Sequence, residues 1–378
     1  MAADHKCRIL FVIHHMGVGG AQKQVAEVTN RLDTDRFSCD IACVTSGGVN
    51  LDRSRGAREV FVLGADRMYD NRGLAAAARL ARIIRGGGYK IVEAYLPAAH
   101  LFSALALVGV RRTALVAACR HVAGLDPGWT RAIRPLLDRM TWLYVANSHT
   151  VKRSFVERYG LPPSKVAVVH NIIDAPPSPI SRREARQRLG LADGEFTVAA
   201  AGTFSPVKDY PTIIRAFAGL CRSGRPAALV VAGDGPLKSA AAALAQSAGL
   251  NGRVRFLGEV RDVHAVLAAS DAFVHASKSE GMSNAVLEAM SAGLPVVASD
   301  IPANREVLGP NYEAFFAPGD WQGCLQGLQH FADDRQAAAA LGKCCRARAI
   351  DAFSAERAIT RRERIYTRLA GAIDESRS

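Results

Sequence analysis

Short apolar runs rich in β-branched residues recur along this chain, and stretches of helical periodicity separate them. The runs before residue 174 lie at 9–14, 41–45, 60–63, 91–94, 115–119, 143–146 and 166–169. The stretches at 20–32, 74–85, 131–140 and 150–159 fit mixed or amphipathic helices. Strands that alternate with helices build parallel sheets covered by helices on both faces. The first part of the chain is therefore predicted to be a doubly wound α/β domain.

The alternation is interrupted once, at residues 174–179, where three prolines exclude regular structure and stiffen the chain. A short helix is predicted at 182–189, and strands are then predicted at 198–201, 229–232, 254–257, 273–276 and 296–298. We predict two Rossmann-like doubly wound parallel-sheet domains, 1–174 and 175–354, facing across a cleft. A basic C-terminal helix at about 355–378 is assigned to the first domain, and its packing on the second stays open.

Composition limits the class of protein. The 378 residues are 49% hydrophobic and contain no low-complexity tract, which indicates a folded chain of about two domains. The eight cysteines show neither a Cys-x-x-Cys pair nor zinc spacing, so they are interpreted as small apolar residues in a reducing compartment. The apolar segment at 7–13 is too short for a signal peptide, and the one at 101–110 is too short to span a bilayer. We expect a cytoplasmic protein, or one peripheral on the inner face of the cytoplasmic membrane.

Positive charge is concentrated in the first half of the chain. Residues 1–174 contain 24 Lys and Arg against 14 Asp and Glu, whereas residues 175–378 contain 24 against 21. Such a field suits a nucleic acid, an anionic membrane or an anionic substrate. No nucleic-acid motif accompanies it, so nucleic acid is not expected as a partner. Arg79, Arg82 and Arg85 share one side of a predicted helix, and Arg131 and Arg134 repeat this spacing; a solvated face and a membrane-contacting face both stay open.

The most informative residues are two glutamates, Glu280 and Glu288. They lie between the strand predicted at 273–276 and the one at 296–298, in a strand, loop, helix, strand unit whose helix begins after Ser283. Open α/β sheets bind ligands at the carboxyl ends of their strands. The backbone N–H groups of Gly281, Met282 and Ser283 and the helix dipole suit a diphosphate. The two carboxylates then suit sugar hydroxyls on either side of it, although an isolated pair of this kind is more often solvated.

Three further loops follow predicted strands. The first, at 17–22, contains Gly19 and Gly20 but fails the G-x-G-x-x-G pattern at Gln22; it is either a phosphate-binding loop or a tight turn. The second, at 202–210, contains Lys208, which reaches a diphosphate as a point charge unless it is only solvated. The third, at 233–237, is interpreted as a structural turn whose Pro236 begins a helix.

His121 follows the strand predicted at 115–119, beside Arg120. It is either a structural histidine or a residue of the same cleft. His14, His15 and His100 are less distinctive. No group of His, Cys and carboxylate residues has metal-ligand spacing, so no tightly bound metal or cofactor is predicted.

Taken together, these loops resemble the glycosyltransferases of the GT-B fold, in particular the retaining group called family 4. The resemblance covers nearly the whole chain, and its most specific part is the glutamate run 279–290 followed by 292–299. It implies transfer of a sugar from a nucleotide-diphosphate sugar, most often a UDP-sugar, to a hydroxyl of a saccharide acceptor. The basic first domain favours a lipid-diphosphate-linked acceptor of cell-surface polysaccharide or glycolipid synthesis. Donor sugar, base, acceptor, linkage and oligomeric state cannot be derived from the sequence.

The resemblance also implies roles for individual residues. Lys208 and the amides of Gly281, Met282 and Ser283 hold the donor diphosphate, and Gly19 or Gly20 approaches it from the other domain. Glu288 binds the ribose, Glu280 binds the donor sugar, and His121 lies by the sugar and the acceptor. The expected catalytic residues are Glu280, His121 and Lys208.

Two positions depart from the family pattern, and the first is Gln22, where many relatives have an acid. Thr203 occupies a donor-site position where the family often has arginine, and Arg305 or Arg261 is a candidate to replace the missing charge. Two alternatives to the transferase stay open: a sugar-nucleotide epimerase or phosphorylase of the same architecture, and a non-catalytic nucleotide-sugar-binding protein. No pyridoxal lysine motif supports a phosphorylase.

Overall fold

The computed structural model describes residues 6–65, 71–122, 128, 130–173, 180–260 and 263–375. The chain divides into two units: unit 1 comprises Met1–Ile172 and Ala355–Ser378, and unit 2 comprises Ile173–Ser354. The proline segment predicted to link the domains, 174–179, lies outside the described residues. Among the helices of the described parts, none is both long and apolar enough to cross a membrane.

Unit 1 is built on a parallel sheet. Its strands in the described residues are β1 (Cys7–Ile13), β2 (Phe37–Cys43), β3 (Ala57–Val62), β4 (Ile91–Tyr95), β5 (Ala114–Cys119), β6 (Thr141–Ala146) and β7 (Val166–Val168). Its first helices are α1 (Gly20–Arg31), α2 (Asn71–Gly87), α3 (Pro97–Ala106), α4 (Thr130–Met140) and α5 (His149–Tyr159). The strand order is β3-β2-β1-β4-β5-β6-β7, so the chain reverses direction across the sheet between β1 and β4. Crevices at such reversal points are the usual ligand sites of open α/β sheets.

Unit 2 repeats this plan. Its described strands are β8 (Phe196–Ala201), β9 (Ala227–Ala232), β10 (Val254–Gly258), β11 (Ala272–His275), β12 (Val296–Ser299) and β13 (Phe315–Phe316). Its helices are α6 (Arg182–Arg188), α7 (Tyr210–Arg222), α8 (Lys238–Ser247), α9 (His264–Ala269), α10 (Asn284–Ser291), α11 (Pro302–Leu308), α12 (Trp321–Asp333) and α13 (Arg335–Phe353). The order is β10-β9-β8-β11-β12-β13, with the reversal between β8 and β11.

The cores explain why the strands could be recognised in the sequence. The central strands are covered on both faces: every residue of β9 is buried, as is every residue of β5. Buried parallel strands of this kind are continuous apolar runs without alternation. Each of the twelve predicted strands accordingly overlaps an observed one, and the prediction of two doubly wound parallel-sheet domains is confirmed.

The last helix, α14 (Ala355–Glu375), belongs to unit 1. Arg362 on α14 donates to the carboxylate of Glu93 on β4, which is fully buried, and the hydroxyl of Tyr366 donates to the same carboxylate. Tyr366 also packs edge-on against Phe37 of β2. A buried ion pair and an aromatic contact therefore hold the end of the chain on the first sheet.

Two local predictions were wrong. Pro236 does not begin a helix, because α8 begins at Lys238 with Leu237 as its N-cap. Arg134 does not belong to a solvated or membrane-facing row: its guanidinium lies 3.9 Å from the ring centroid of Tyr159 and donates to Asp138 at 2.8 Å. The side chain of Arg131 lies outside the described residues.

Candidate active site

The lysine loop of unit 2 follows β8, at the reversal point of the sheet. It contains a single 3₁₀ turn, Pro206–Lys208, after which Asp209 adopts a left-handed conformation (φ 46°) and precedes α7. Gly202 begins the loop with φ 145°, and a Cβ atom there would lie 3.3 Å from Cε of Lys208. Lys208 therefore folds back over the end of its own strand.

The loop after β9 packs directly under the lysine loop. A Cβ atom on Gly233 would lie 2.0 Å from the carbonyl oxygen of Gly202, and one on Gly235 would lie 2.7 Å from the nitrogen of Phe204. These two glycines permit backbone contact between the loops. The Phe204 N–H donates to the carbonyl of Asp234 at 2.9 Å. Asp234 itself accepts from the Gly235 N–H at 2.8 Å and from Lys238 at 2.7 Å, as expected for a turn residue.

The glutamate loop follows β11, the strand adjacent to β8 across the reversal point. Lys208 donates to the carboxylate of Glu280, so residues 72 positions apart in the sequence form an ion pair. The Ser277 hydroxyl donates to the same carboxylate oxygen at 2.8 Å. The backbone N–H of Lys278 donates to the carbonyl of Val207 at 2.8 Å, which joins the two loops.

The Lys208–Glu280 ion pair is mostly, but not completely, buried. The side chains of Lys208 and Glu280 are 21% and 16% exposed. Burial alone would raise the pKa of Glu280, but the Lys208 ammonium and, to a smaller extent, the neighbouring His275 outweigh it and hold that pKa well below its usual range. Glu280 is therefore ionised at neutral pH.

The helix after Glu280 begins where the sequence indicates. Ser283 is the N-cap of α10, and its hydroxyl accepts from the Val286 N–H at 3.4 Å. Met282 is 5% exposed and its side chain belongs to the core of unit 2, so that side chain is not available to a ligand. Glu288 is the fifth residue of α10 and is 9% exposed. Glu280, the amides at 281–283 and Glu288 thus follow one another from the loop into the helix.

Arg305, one candidate to replace the charge missing at Thr203, pairs with Asp300 in this structure. Thr203 is exposed, and its carbonyl accepts from the Ser205 N–H at 2.8 Å. Arg305 donates to Asp300 through two nitrogens, one of them at 2.6 Å, so its charge is already neutralised. Arg261, the other candidate, lies outside the described residues.

The glycine-rich loop of unit 1 follows β1, at the reversal point of the first sheet. Asn50 donates to the carbonyl of Gly17 at 2.6 Å, and a Cβ atom on Gly48 would lie 2.4 Å from the Gly17 nitrogen. Gly19 is the N-cap of α1, and Gly20 is the first residue of that helix. A Cβ atom on Gly19 would lie 2.3 Å from Oε1 of Gln22, which is buried. The pattern-breaking Gln22 thus fills the space beside Gly19.

His121 follows β5 and is half-buried. It lines a small pocket with His100, Leu96 and Arg134 at the carboxyl ends of β4 and β5. Its neighbour Arg120 lies over the ring of Tyr95 and donates to Asn171 at 2.6 Å. Arg120 therefore stabilises the end of β5, and His121 is the residue of the pair that reaches the pocket.

One buried residue of the site was missed. The sequence pattern places His275, the last residue of β11, only within a strand, yet its Nε2 lies 3.5 Å from the Glu280 carboxylate. A signal was present in the sequence, because a histidine that ends a buried strand needs polar partners.

Comparison with known proteins identifies the family of the chain. Residues 181–348 match the family model described as "Glycosyl transferases group 1", and residues 18–175 match that of "Glycosyltransferase Family 4". N-acetyl-alpha-D-glucosaminyl L-malate synthase of Bacillus anthracis is 24% identical over 303 residues, 78% of each chain.

Solved structures show the same fold. HepE of Anabaena, in complex with UDP and glucose, superposes with a TM-score of 0.83 at 22% identity, covering 95% of this chain and 99% of that one. WaaG, a glycosyltransferase involved in lipopolysaccharide biosynthesis, superposes with a TM-score of 0.76 at 17% identity, covering 96% and 100%. The two family matches together span both units. The chain therefore belongs to the family 4 glycosyltransferases, the group 1 enzymes with the GT-B fold.

Proposed function

We propose that this glycosyltransferase moves a sugar from a nucleotide-diphosphate sugar to a hydroxyl of a saccharide acceptor, with retention of anomeric configuration. The observation that carries the proposal is the Lys208–Glu280 ion pair, which lies at the reversal point of the second sheet just before the N-terminus of α10. That position combines a cation, a helix dipole and a carboxylate within one loop pair. HepE has been solved with UDP and with UDP-glucose, which makes a UDP-sugar the favoured donor here.

Each group has a separate task in this proposal. Lys208 and the backbone N–H groups of Gly281, Met282 and Ser283 bind the diphosphate, Glu288 binds the ribose hydroxyls, and Glu280 binds the donor sugar. When a diphosphate arrives, Lys208 interacts with it while Glu280 accepts hydrogen bonds from the sugar. His121, Gly19 and Gly20 of unit 1 keep the roles that the family resemblance implies for them.

The reaction requires electrostatic stabilisation more than covalent chemistry. The bond between the anomeric carbon and the diphosphate oxygen breaks, and the acceptor oxygen bonds to that carbon from the same face. The acceptor proton passes to the leaving diphosphate, which Lys208 and the helix dipole stabilise as its negative charge develops. Because Thr203 offers no charge, we expect Lys208 to supply more of this stabilisation than it would beside an arginine.

A thermal-shift screen over UDP-, GDP-, ADP- and CMP-sugars tests the donor class, because a ligand that binds only the folded state raises its stability. We expect a shift with one nucleotide family. Incubation of that donor with saccharide acceptors, followed by NMR of the anomeric proton, then tests transfer and retention. Inverted product would contradict the retaining mechanism. Epimer formation without acceptor would instead identify an epimerase, and binding without turnover on any acceptor would identify a binding protein.

The acceptor is proposed to be lipid-linked, and the protein to act at an anionic membrane surface. Within the described stretch 71–122, the single acidic residue is Glu93, which is fully buried. Arg82 and Arg85 of α2 border a groove floored by alanines, with the exposed Leu105 of α3 on its other side. At a membrane surface, arginines of this kind can bind anionic lipid headgroups while the exposed apolar side chains beside them contact the acyl chains. The relatives include an alpha-monoglucosyldiacylglycerol synthase of Streptococcus pneumoniae.

Vesicle flotation tests this surface. We expect binding to vesicles containing phosphatidylglycerol, little binding to pure phosphatidylcholine, and loss of binding as salt rises. The double variant Arg82→Glu/Arg85→Glu should lower binding strongly. The matched control Arg183→Glu/Lys343→Glu makes the same change of charge at exposed positions of unit 2 and should lower it little. Equal effects of the two variants would contradict a localised membrane surface.

A further inference from the structure

His275 is buried beneath the glutamate loop. Its side chain is 3% exposed and lies at the carboxyl end of β11. The roles proposed above give it no function. Its ring contacts polar atoms on both nitrogens, so the protonation of each nitrogen can be derived from its partners.

The Nδ1 side faces an amide donor. Nδ2 of Asn304 lies 3.4 Å from Nδ1 of His275 and donates to the carbonyl of Ser299 at 2.8 Å. Because that carbonyl accepts only, it fixes the orientation of the amide, whose N–H groups also reach Nδ1 of His275 and the Ser299 hydroxyl oxygen, the latter at 3.3 Å. Nδ1 must therefore be the accepting nitrogen, and the proton of the neutral ring is on Nε2.

The Nε2 side faces the site. The hydroxyl oxygens of Ser277 and Ser283 each lie 3.1 Å from Nε2, and Oε1 of Glu280 lies 3.5 Å from it. The Ser277 hydroxyl proton is directed to Glu280, so its oxygen is available to accept from the Nε2–H. A directed chain results, in which each group donates to the next: Asn304, His275, Ser277, Glu280.

This arrangement keeps the imidazole neutral. A second proton would have to bind Nδ1, where it would face the N–H donor of Asn304 and have no acceptor there. Burial lowers the pKa of His275, and the Lys208 charge lowers it further, whereas Glu280 opposes them. The charged groups that face the ring are thus Glu280, from its own loop, and Lys208, from the loop after β8.

We propose that His275 is a positioning residue for sugar transfer: its Nε2–H orients Ser277, which in turn fixes the Glu280 carboxylate that binds the donor sugar. The inference rests on the proposed function of Glu280. It predicts an effect on turnover rather than on nucleotide binding, because α10 retains its own N-cap contact between Ser283 and Val286. A carboxylate displaced by about 1 Å can lower a rate by about 100-fold.

The test compares His275→Leu, which removes both ring nitrogens, with His275→Gln, whose amide can donate from the place of Nε2. We expect His275→Leu to lower kcat by about 10- to 100-fold, with the Kd for UDP within about threefold. His275→Gln should recover most of the activity, and Ser277→Ala should resemble His275→Leu. As the matched control, Thr197→Val removes a buried hydroxyl near the amino end of β8, at the far end of that strand from the site, which accepts a hydrogen bond from Arg186. It should lower stability without a selective loss of kcat.

A second readout does not depend on activity. In protein labelled with ¹⁵N-histidine, the His275 signals, assigned with His275→Gln, should show the neutral Nε2–H tautomer from pH 5.5 to 8. Titration near pH 6.5, or the Nδ1–H tautomer, would overturn the proposal even if the enzyme transfers sugar. Equal kcat losses in His275→Leu and His275→Gln, or a loss of UDP binding that parallels kcat, would also overturn it. A wild-type protein that transfers no sugar, but shows the expected tautomer, would instead contradict the proposed function.

Discussion

Each unit contains a shielded ion pair, and the two differ in how they are enclosed. In unit 1, Glu93 and Arg362 are 0% and 3% exposed, and Tyr366 donates to the same carboxylate. In unit 2, Glu280 and Lys208 are 16% and 21% exposed and lie on loops at the carboxyl ends of two adjacent strands. The first pair joins a strand to a helix inside the core, whereas the second joins two loops at the surface.

The difference separates a structural pair from one that can exchange partners. Glu93 is the third of five residues in β4 and is hydrogen-bonded on both oxygens by α14, so no ligand can replace its partners without displacing that helix. Burial and Glu93 raise the pKa of Tyr366 well above its usual range, so its hydroxyl keeps the proton that it donates. Lys208 lies on a turn, and the proposed function requires it to leave Glu280 for the donor diphosphate, which it can do without displacing a helix or strand. Burial of charge alone therefore does not identify the active site.

The largest expected effect on stability comes from removing Glu93. Glu93→Ala leaves the guanidinium of Arg362 buried without its carboxylate, which should lower the free energy of unfolding by about 3–5 kcal/mol. Urea unfolding at pH 7, followed by circular dichroism, measures this change. The double variant Glu93→Leu/Arg362→Leu removes both charges and should recover much of the loss; if it is as unstable as the single variant, the pair does not act as described.

The largest expected effect on activity comes from Lys208. Lys208→Ala removes the cation that stabilises the leaving diphosphate and should lower kcat by about 10²–10³-fold. Its effect on the free energy of unfolding should be smaller than that of Glu93→Ala. Steady-state kinetics with the donor found in the thermal-shift screen measure the change. Lys278→Ala, which removes a 56% exposed lysine on the adjoining loop, is the matched control. Full activity in Lys208→Ala would show that Lys208 does not take part in the reaction.

The surface pair should also show a characteristic acid dependence. Because the folded pKa of Glu280 is lowered, its ionised form contributes stability that is fully present above the ordinary glutamate pKa of 4.5. That contribution is lost as the pH falls towards the lowered value. The stability advantage of wild type over Glu280→Gln should therefore be constant from pH 7 to 5 and smaller at pH 3. A constant advantage down to pH 3, or one lost above pH 5, would contradict the ionised pair.

Much of this fold can be predicted from sequence because its signals are local. Buried parallel strands are continuous apolar runs, and Ser283 indicates the start of α10. Other elements lack such signals: α8 is an alanine-rich helix with little contrast between its faces, and β13 has only two residues. Arg134 was misassigned because helical spacing places it on a face but does not identify the aromatic rings that cover that face.

The site was predicted less completely because its geometry depends on contacts between distant residues. Spacing and resemblance predicted a site at Lys208, Glu280 and Glu288, but the ion pair between Lys208 and Glu280 depends on the adjacency of β8 and β11. A role for His275 can be inferred only from the folded structure, in which Asn304 and Ser277 contact its two ring nitrogens. The ion pair between Arg305 and Asp300 can likewise be recognised only in the folded structure.

Titration calorimetry with UDP on wild type and on Glu288→Ala tests the central claim most directly, that the loops after β8 and β11 with α10 form the donor site. Glu288 is proposed to accept the ribose hydroxyls, and a hydrogen bond to a charged group contributes about 1.5–3 kcal/mol, so Glu288→Ala should raise the Kd for UDP by about tenfold or more. Glu313→Ala, which removes an exposed glutamate of the same unit, should leave the Kd unchanged. An unchanged Kd in Glu288→Ala, with wild type binding UDP normally, would place the donor elsewhere and contradict the account.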